Sequence, residues 1–246
     1  MNDSLEYKGH TINIVNDDSP MNPFEDFDGL PNLLVNYDST LTEYGDIDID
    51  DILIVEDIHI KKSLNTIKNA IEDTRPLLTI LRSCDYVNTP RYYGCAIDCL
   101  NAHIKEYYDG LIKRDQLLML STFLDIKKVK HLLTESRGYS QGDYVEMLLI
   151  ANDESDTIES LQGAADTYSA WAWGDVYGYI VEGHIGELDC WGFYGSDHNT
   201  SGLIEHAKNA IDCEIAYNRK QKLIKLKTLI KNGVPIDKRA QLLIIA

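Results

Sequence analysis

Lysine and arginine are scarce: 23 stand against 40 aspartates and glutamates, a formal net charge of -17 over 246 residues. That balance repels phosphate backbones and anionic bilayers, and it excludes direct nucleic-acid binding by the surface as a whole. Long apolar runs are missing too. No stretch reaches the roughly 18 uninterrupted apolar residues of a bilayer span, and Met1–Pro20 has neither a basic start nor an apolar core. The expectation is a protein without membrane contact, made and kept in the cytoplasm. Cysteine is sparse, and the five present have no short regular spacing, so they read as reduced thiols rather than a disulfide framework. There is no HExxH, no GxSxG elbow, no glycine-rich phosphate loop with its lysine and no GxGxxG fingerprint. No catalytic residue, metal or cofactor is therefore assigned.

What is present begins with enough core material, 44 % apolar residues, for one ordinary domain or two small ones. The charge is distributed in blocks. Residues 1–60 hold 15 acids and the single base Lys8, whereas residues 61–137 hold 13 bases and 9 acids. Residues 138–216 return to 15 acids with only Lys208, and residues 217–246 carry 8 bases with the one acid Asp237. Packing of opposite blocks neutralises part of this charge, but the bases are too few to cover the acids, so an uncompensated acidic surface must remain.

Local patterns give an α+β fold: a small antiparallel or mixed sheet from residues 1–60 and 139–216, a helical block inserted at 61–138, and a basic helical tail at 217–246. Tyr7–Val15 alternates as a strand, and Leu33–Tyr37 reads as another. Pro20, Pro23 and Pro31 forbid a long helix between them. Asp46-Ile47-Asp48-Ile49-Asp50 has a strict period of two, which predicts a strand with an acidic stripe. Leu64, Ile67 and Ile71, then Thr74–Leu81, then Ile97, Leu100, Ile104 and Tyr107 follow helical spacing. Asp115 is placed to cap Gln116–Leu124, and Asp125 to cap Ile126–Arg137 before Gly138. Tyr144–Ile150 suits a buried strand, and Asp156 with Glu159 suits the start of a helix ending at Gly174. Asp175–Glu182 and Leu188–Tyr194 form an aromatic hairpin, and Leu203–Lys231 is helical until Gly233 and Pro235.

Two stretches carry a resemblance. The first is Tyr7-Lys8-Gly9-His10-Thr11-Ile12 with Asp17-Asp18-Ser19-Pro20 and Phe24-Glu25-Asp26-Phe27-Asp28-Gly29-Leu30. The second runs from Tyr139-Ser140-Gln141-Gly142-Asp143-Tyr144 to Gly174-Asp175-Val176-Tyr177-Gly178-Tyr179 and Cys190-Trp191-Gly192-Phe193-Tyr194-Gly195. Both resemble a family of small acidic proteins encoded by bacteriophages and other mobile elements. The resemblance implies that setting, in which small acidic proteins often block host defences. It brings no catalytic residues, and it does not extend to the helical block or the tail.

Three constellations invite chemistry. Cys95, Cys99 and His103 share one face at i, i+4, i+8, but a single helix rarely supplies three tetrahedral ligands, and small buried thiols beside a packed histidine are the simpler reading. Asp46, Asp48, Asp50 and Asp57 fall at calcium-loop positions, yet Asp51 stands where that loop needs glycine. His184, His198 and His206 gather imidazoles near the hairpin without a spacing that selects a reaction. The leading expectation is a non-enzymatic interaction protein whose carboxylates occupy the basic groove of a host nucleic-acid-binding or defence protein. Duplex DNA carries one charge per roughly 1.7 Å of axis, and alternate aspartates on a strand sit about 6.6–6.8 Å apart. Asp46, Asp48, Asp50, Asp51, Glu56 and Asp57 form the expected main stripe, with Asp17, Asp18, Glu25, Asp26 and Asp28 as a second patch. The alternatives are partner binding through the helical block or the aromatic hairpin, and a metal-dependent hydrolase using the His184, His198 and His206 region.

Overall fold

A computed structural model describes residues 3–37, 40–54, 101–102, 104–137, 144–182 and 188–233. The expected helices between 61 and 100 lie outside the described residues. The fold is α+β, with two four-stranded antiparallel sheets, and the chain divides into two compact units, Met1–Pro20 with Gly174–Ala246 and Met21–Trp173.

In the first unit, β1 (Asp3–Tyr7), β2 (His10–Asn16), β7 (Val176–Glu182) and β8 (Asp189–Tyr194) pair in the order β1-β2-β7-β8. The expected single strand over Tyr7–Val15 is instead a hairpin. Lys8 and Gly9 both take positive φ, 51° and 80°, the two-residue turn whose twist matches that of the flanking strands. Alternation buries Ile12, Ile14, Tyr179 and Val181 on one face, where Leu203, Ala207 and Ile211 of the long helix α5 (Leu203–Gly233) cover them. The hairpin β7–β8 forms as predicted, with a register shift between Tyr177 and Tyr179. There Trp191 lies over Gly178 so closely that a Cβ would sit 2.3 Å from its ring, so the indole needs glycine beneath it.

The second unit is a three-layer sandwich. Its sheet has the order β4-β3-β6-β5, from β3 (Asn32–Tyr37), β4 (Thr40–Tyr44), β5 (His131–Arg137) and β6 (Tyr144–Ile150). Leu34, Leu148 and Ile150 point to one side. There they meet α2 (Ile49–Leu53), the helical turns over 104–109 and α3 (Lys113–Lys127) through Leu53, Ile104, Leu120 and Phe123. Leu33, Val35, Val145, Met147 and Leu149 point to the other side, onto α4 (Ile158–Ala172), with Phe24 of α1 (Pro23–Asp26) at its edge.

Three local expectations are corrected here. Asp46–Asp50 is no strand: Asp48 accepts the Asp51 N–H at 3.0 Å and caps α2, because Ile49, Ile52 and Leu53 gain a core surface only when that segment coils. Ile126–Arg137 is not one helix, since Lys128 at φ 60° ends α3 and the chain crosses to β5, whose backbone pairs with β6. Finally, α4 starts one residue later than expected. Thr157 and Ser160 exchange the capping-box hydrogen bonds, while the Asp156 carboxylate accepts from the Asn152 N–H at 2.8 Å.

Candidate interaction surfaces

The expected main stripe resolves into the start of α2. Asp46 is exposed in the turn leaving β4, and its N–H donates to Asn32 Oδ1 at 2.9 Å. Asp48, Asp50 and Asp51 are exposed at the helix N-terminus, where carboxylates complement the positive end of the helix dipole. Two lysines come to this place. Lys105 pairs with Asp50, and that hydrogen bond holds its ammonium above the usual lysine range, with the charges of Asp109 and Asp48 adding. Lys127 donates to the Asp51 carbonyl. Glu56 and Asp57 lie outside the described residues.

The second patch is divided between the two units. Asp17 belongs to the first, at the end of β2, where its Oδ1 accepts the Ser19 N–H at 3.1 Å and its own N–H donates to Val176; Asp18 follows it, exposed. Glu25, Asp26 and Asp28 belong to the second unit, on α1 and the turn after it. Asn22 caps α1 and Pro23 opens it, while Phe24 anchors it against Tyr44 and Tyr168 with ring centroids 6.0 and 5.8 Å away. The α1 and α2 carboxylates thus stand on opposite faces of one sheet rather than side by side.

What Glu25, Asp26 and Asp28 do join is α4, a partner the sequence reading had not singled out. Exposed Glu159 and Asp166 lie on that helix, and Asp153 and Glu154 lie in the loop before it. Residues 21–54 and 138–173 contain no lysine and no arginine at all, so this layer is acidic without internal compensation. The Thr157 cap places Glu159 in the first turn, where its own backbone N–H and the Thr157 hydroxyl hold its carboxyl below the usual range. Asp153 is held low by the Ser155 hydroxyl and N–H, with Lys130 adding. Lys130 itself donates to the carbonyls of Glu154 and Asp156, at 2.6 and 2.7 Å. The signal was available as the absence of bases from 138–173 combined with the helical period of α4.

Two of the three expected imidazoles are described, each set against a tyrosine of β7. His198 stacks edge-on against Tyr177, ring centroids 4.6 Å apart. His206 Nδ1 meets the Tyr179 hydroxyl at 3.0 Å and packs on Phe193. His184 lies outside the described residues, as do Cys95, Cys99 and His103. Among the described residues no group of three histidine, cysteine or carboxylate side chains is arranged to hold a metal ion.

A Ser–His contact does occur elsewhere. Ser121 Oγ lies 2.9 Å from His131 Nε2, and His131 Nδ1 lies 2.9 Å from the Val129 carbonyl, which makes Nδ1 the donor and leaves Nε2 to accept from the serine. The spacing suits a nucleophile and base, but the adjacent N–H groups of Lys128 and Val129 already donate to Asp125 and Leu124, so neither is free to hold an oxyanion. The pair ties α3 to the first residue of β5 at the turn where the helix stops. Ser121→Ala should lower stability by about 1 kcal/mol, read as a shift of the urea midpoint at unchanged slope; a shift below about 0.3 kcal/mol would show that the tie contributes nothing.

No protein-family model matches the chain, and neither does any curated protein or solved structure. Among the described residues, no helix is long and apolar enough to cross a membrane.

Proposed function

We propose that the protein is a non-enzymatic, acidic interaction module of phage or mobile-element type. Its role is to inhibit a host nucleic-acid-binding or defence protein by presenting DNA-like negative charge to its basic groove. The carrying observation is the α1/α4 layer: Glu25, Asp26, Asp28, Glu159 and Asp166 are exposed together on segments without a single base. Asp46, Asp48, Asp50 and Asp51 are secondary contributors, because Lys105 already meets one of them. Asp17 and Asp18 add charge on the first unit. Recognition of this kind is electrostatically steered and weakens sharply with salt.

The test loads host-lysate proteins on DNA-cellulose and washes the resin with the purified protein. At about 50 mM salt it should displace a DNA-binding protein, and at about 300 mM displacement should fall at least tenfold. Neutralising Glu25, Asp26, Asp28, Glu159 and Asp166 to their amides should abolish displacement while the folded protein keeps the parent's circular dichroism. Displacement that varies by less than about threefold between those salt concentrations, or survives the five amides, rules out charge mimicry by this layer.

A further inference from the structure

We infer that the distal half of α5 is a docking surface for a second copy of this chain, which meets it with the acidic α1/α4 layer of its own second unit. The helix has 31 residues, a length of about 46 Å. Its N-terminal turns are committed, since Leu203, Ala207 and Ile211 cover the first sheet. Between Ile215 and Gly233 only Ile230 is buried. Over the same stretch Ile215, Leu226 and Leu229, which the helical period places on the same side as Arg219 and Lys222, are 39, 40 and 70 % exposed.

Charge sets the partner's chemistry. Arg219, Lys220, Lys222, Lys225, Lys227 and Lys231 follow one another with no acid between Ile215 and Gly233, and none makes an ion pair among the described residues. Two shallow grooves of about 470 and 450 Å³ border the helix and share Ile215, Arg219 and Leu223. Lys222 and Leu226 extend the first, and Lys8, Asp212 and Lys220 extend the second. Each groove combines apolar side chains with cationic ones, so its complement is a surface combining apolar side chains with carboxylates.

Pairing of two such helices would oppose six cations with six and is disfavoured. Nucleic acid and anionic lipid meet the repulsion of a chain with net charge -17. The α1/α4 layer has the required composition. Its carboxylates are Glu25, Asp26, Asp28, Glu159 and Asp166, and exposed Met21, Phe27 and Ile158 supply the apolar part, at 58, 44 and 49 %. The two surfaces differ, so the contact is heterologous, with one copy offering the helix and the other the layer. It uses the acidic layer of the proposed function but needs no host partner, so either reading can fail alone.

Sedimentation velocity of the full chain from about 1 to 200 μM, at about 50 and 300 mM salt, tests the inference. Association should grow with concentration at low salt and weaken at least tenfold at high salt. The triple reversal Lys222→Glu, Lys225→Glu, Lys227→Glu should be monomeric, and so should Glu159→Lys, Asp166→Lys, both with the parent's circular dichroism, the second melting lower because it loses the first-turn carboxylate of α4. Mixing the two variants should restore association, because the mixture still contains one intact helix and one intact layer. A parent chain that stays monomeric at every concentration in low salt overturns the inference. So does an association that either reversal leaves intact.

Discussion

Phe123→Ala should destabilise the second unit by about 3–5 kcal/mol, a large share of the 5–15 kcal/mol that separates folded from unfolded in a typical domain. Phe123 is 1 % exposed and sits on α3 in the cluster that joins this helix to Leu34, Leu148 and Ile150 of the sheet and to Leu53 of α2. Truncation removes the transfer energy of the ring and leaves a cavity that the pleated sheet on one side and the helix backbone on the other are too stiff to close. Leu118 provides the control. It lies on the same helix, 38 % exposed, and Leu118→Ala should cost less than about 1 kcal/mol. Urea midpoints for both variants at a common slope decide the matter. Equal small shifts would mean that α3 does not seal the core.

The same sandwich explains which parts of the protein were legible from sequence. The hairpin β7–β8 could be read because its aromatic, period-two segments stand either side of a glycine-bounded turn, so local pattern and tertiary pairing agree. The helix α5 could be read because its apolar residues keep the helical period from Leu203 to Ile230. By contrast, Leu132 and Leu133 extend the helical spacing of α3 into His131–Arg137, and nothing in the sequence marks a stop. The stop is a left-handed Lys128, a conformation that a glycine would have announced. At Asp46–Asp50 the alternation was real, but Asp48 spends its carboxylate on a helix cap, and Ile49 packs beside Ile52 and Leu53 instead of along a strand.

The acidic site was legible as composition and not as arrangement. Glu25–Asp28 enter the β3–β4 hairpin from the α4 side of the sheet, and Asp46–Asp51 leave it toward α3, so two patches close in sequence end on opposite faces. Only the strand pairing determines that, and it is the packing of Phe24 against Tyr168 that brings α1 onto α4. The lysines that meet α2, Lys105 at the Asp50 carboxylate and Lys127 at the Asp51 carbonyl, come from positions far away in the chain.

Alkaline pH should unfold the protein through its buried tyrosines. Burial pushes the Tyr108 phenol up to about 12, with the nearby charges of Glu43 and Asp109 adding, and burial pushes Tyr179 to about 12 as well, with Cys190 and Asp189 adding. Tyr168 is raised in the same way, by burial first and then by Tyr44. The native state keeps these phenols protonated while the unfolded chain releases their protons near pH 10, so the unfolded state binds fewer protons above that pH and stability falls as pH rises. The loss begins at the unfolded value and continues through about pH 12, where a phenol held near 12 opposes folding by on the order of 2 kcal/mol. Tyr108 makes the sharpest test. Its hydroxyl is buried without a hydrogen-bond partner among the described residues, so Tyr108→Phe discards no bond and removes a group that must ionise on unfolding. Near pH 7 the variant should match the parent or exceed it by up to about 1 kcal/mol, and above about pH 10.5 its advantage should widen. Urea midpoints across that range, together with phenolate absorbance in the folded state, provide the measurement. A native protein whose tyrosines all titrate near 10, with stability flat from about pH 8 to 11, would show that these rings are not shielded from water as their burial requires.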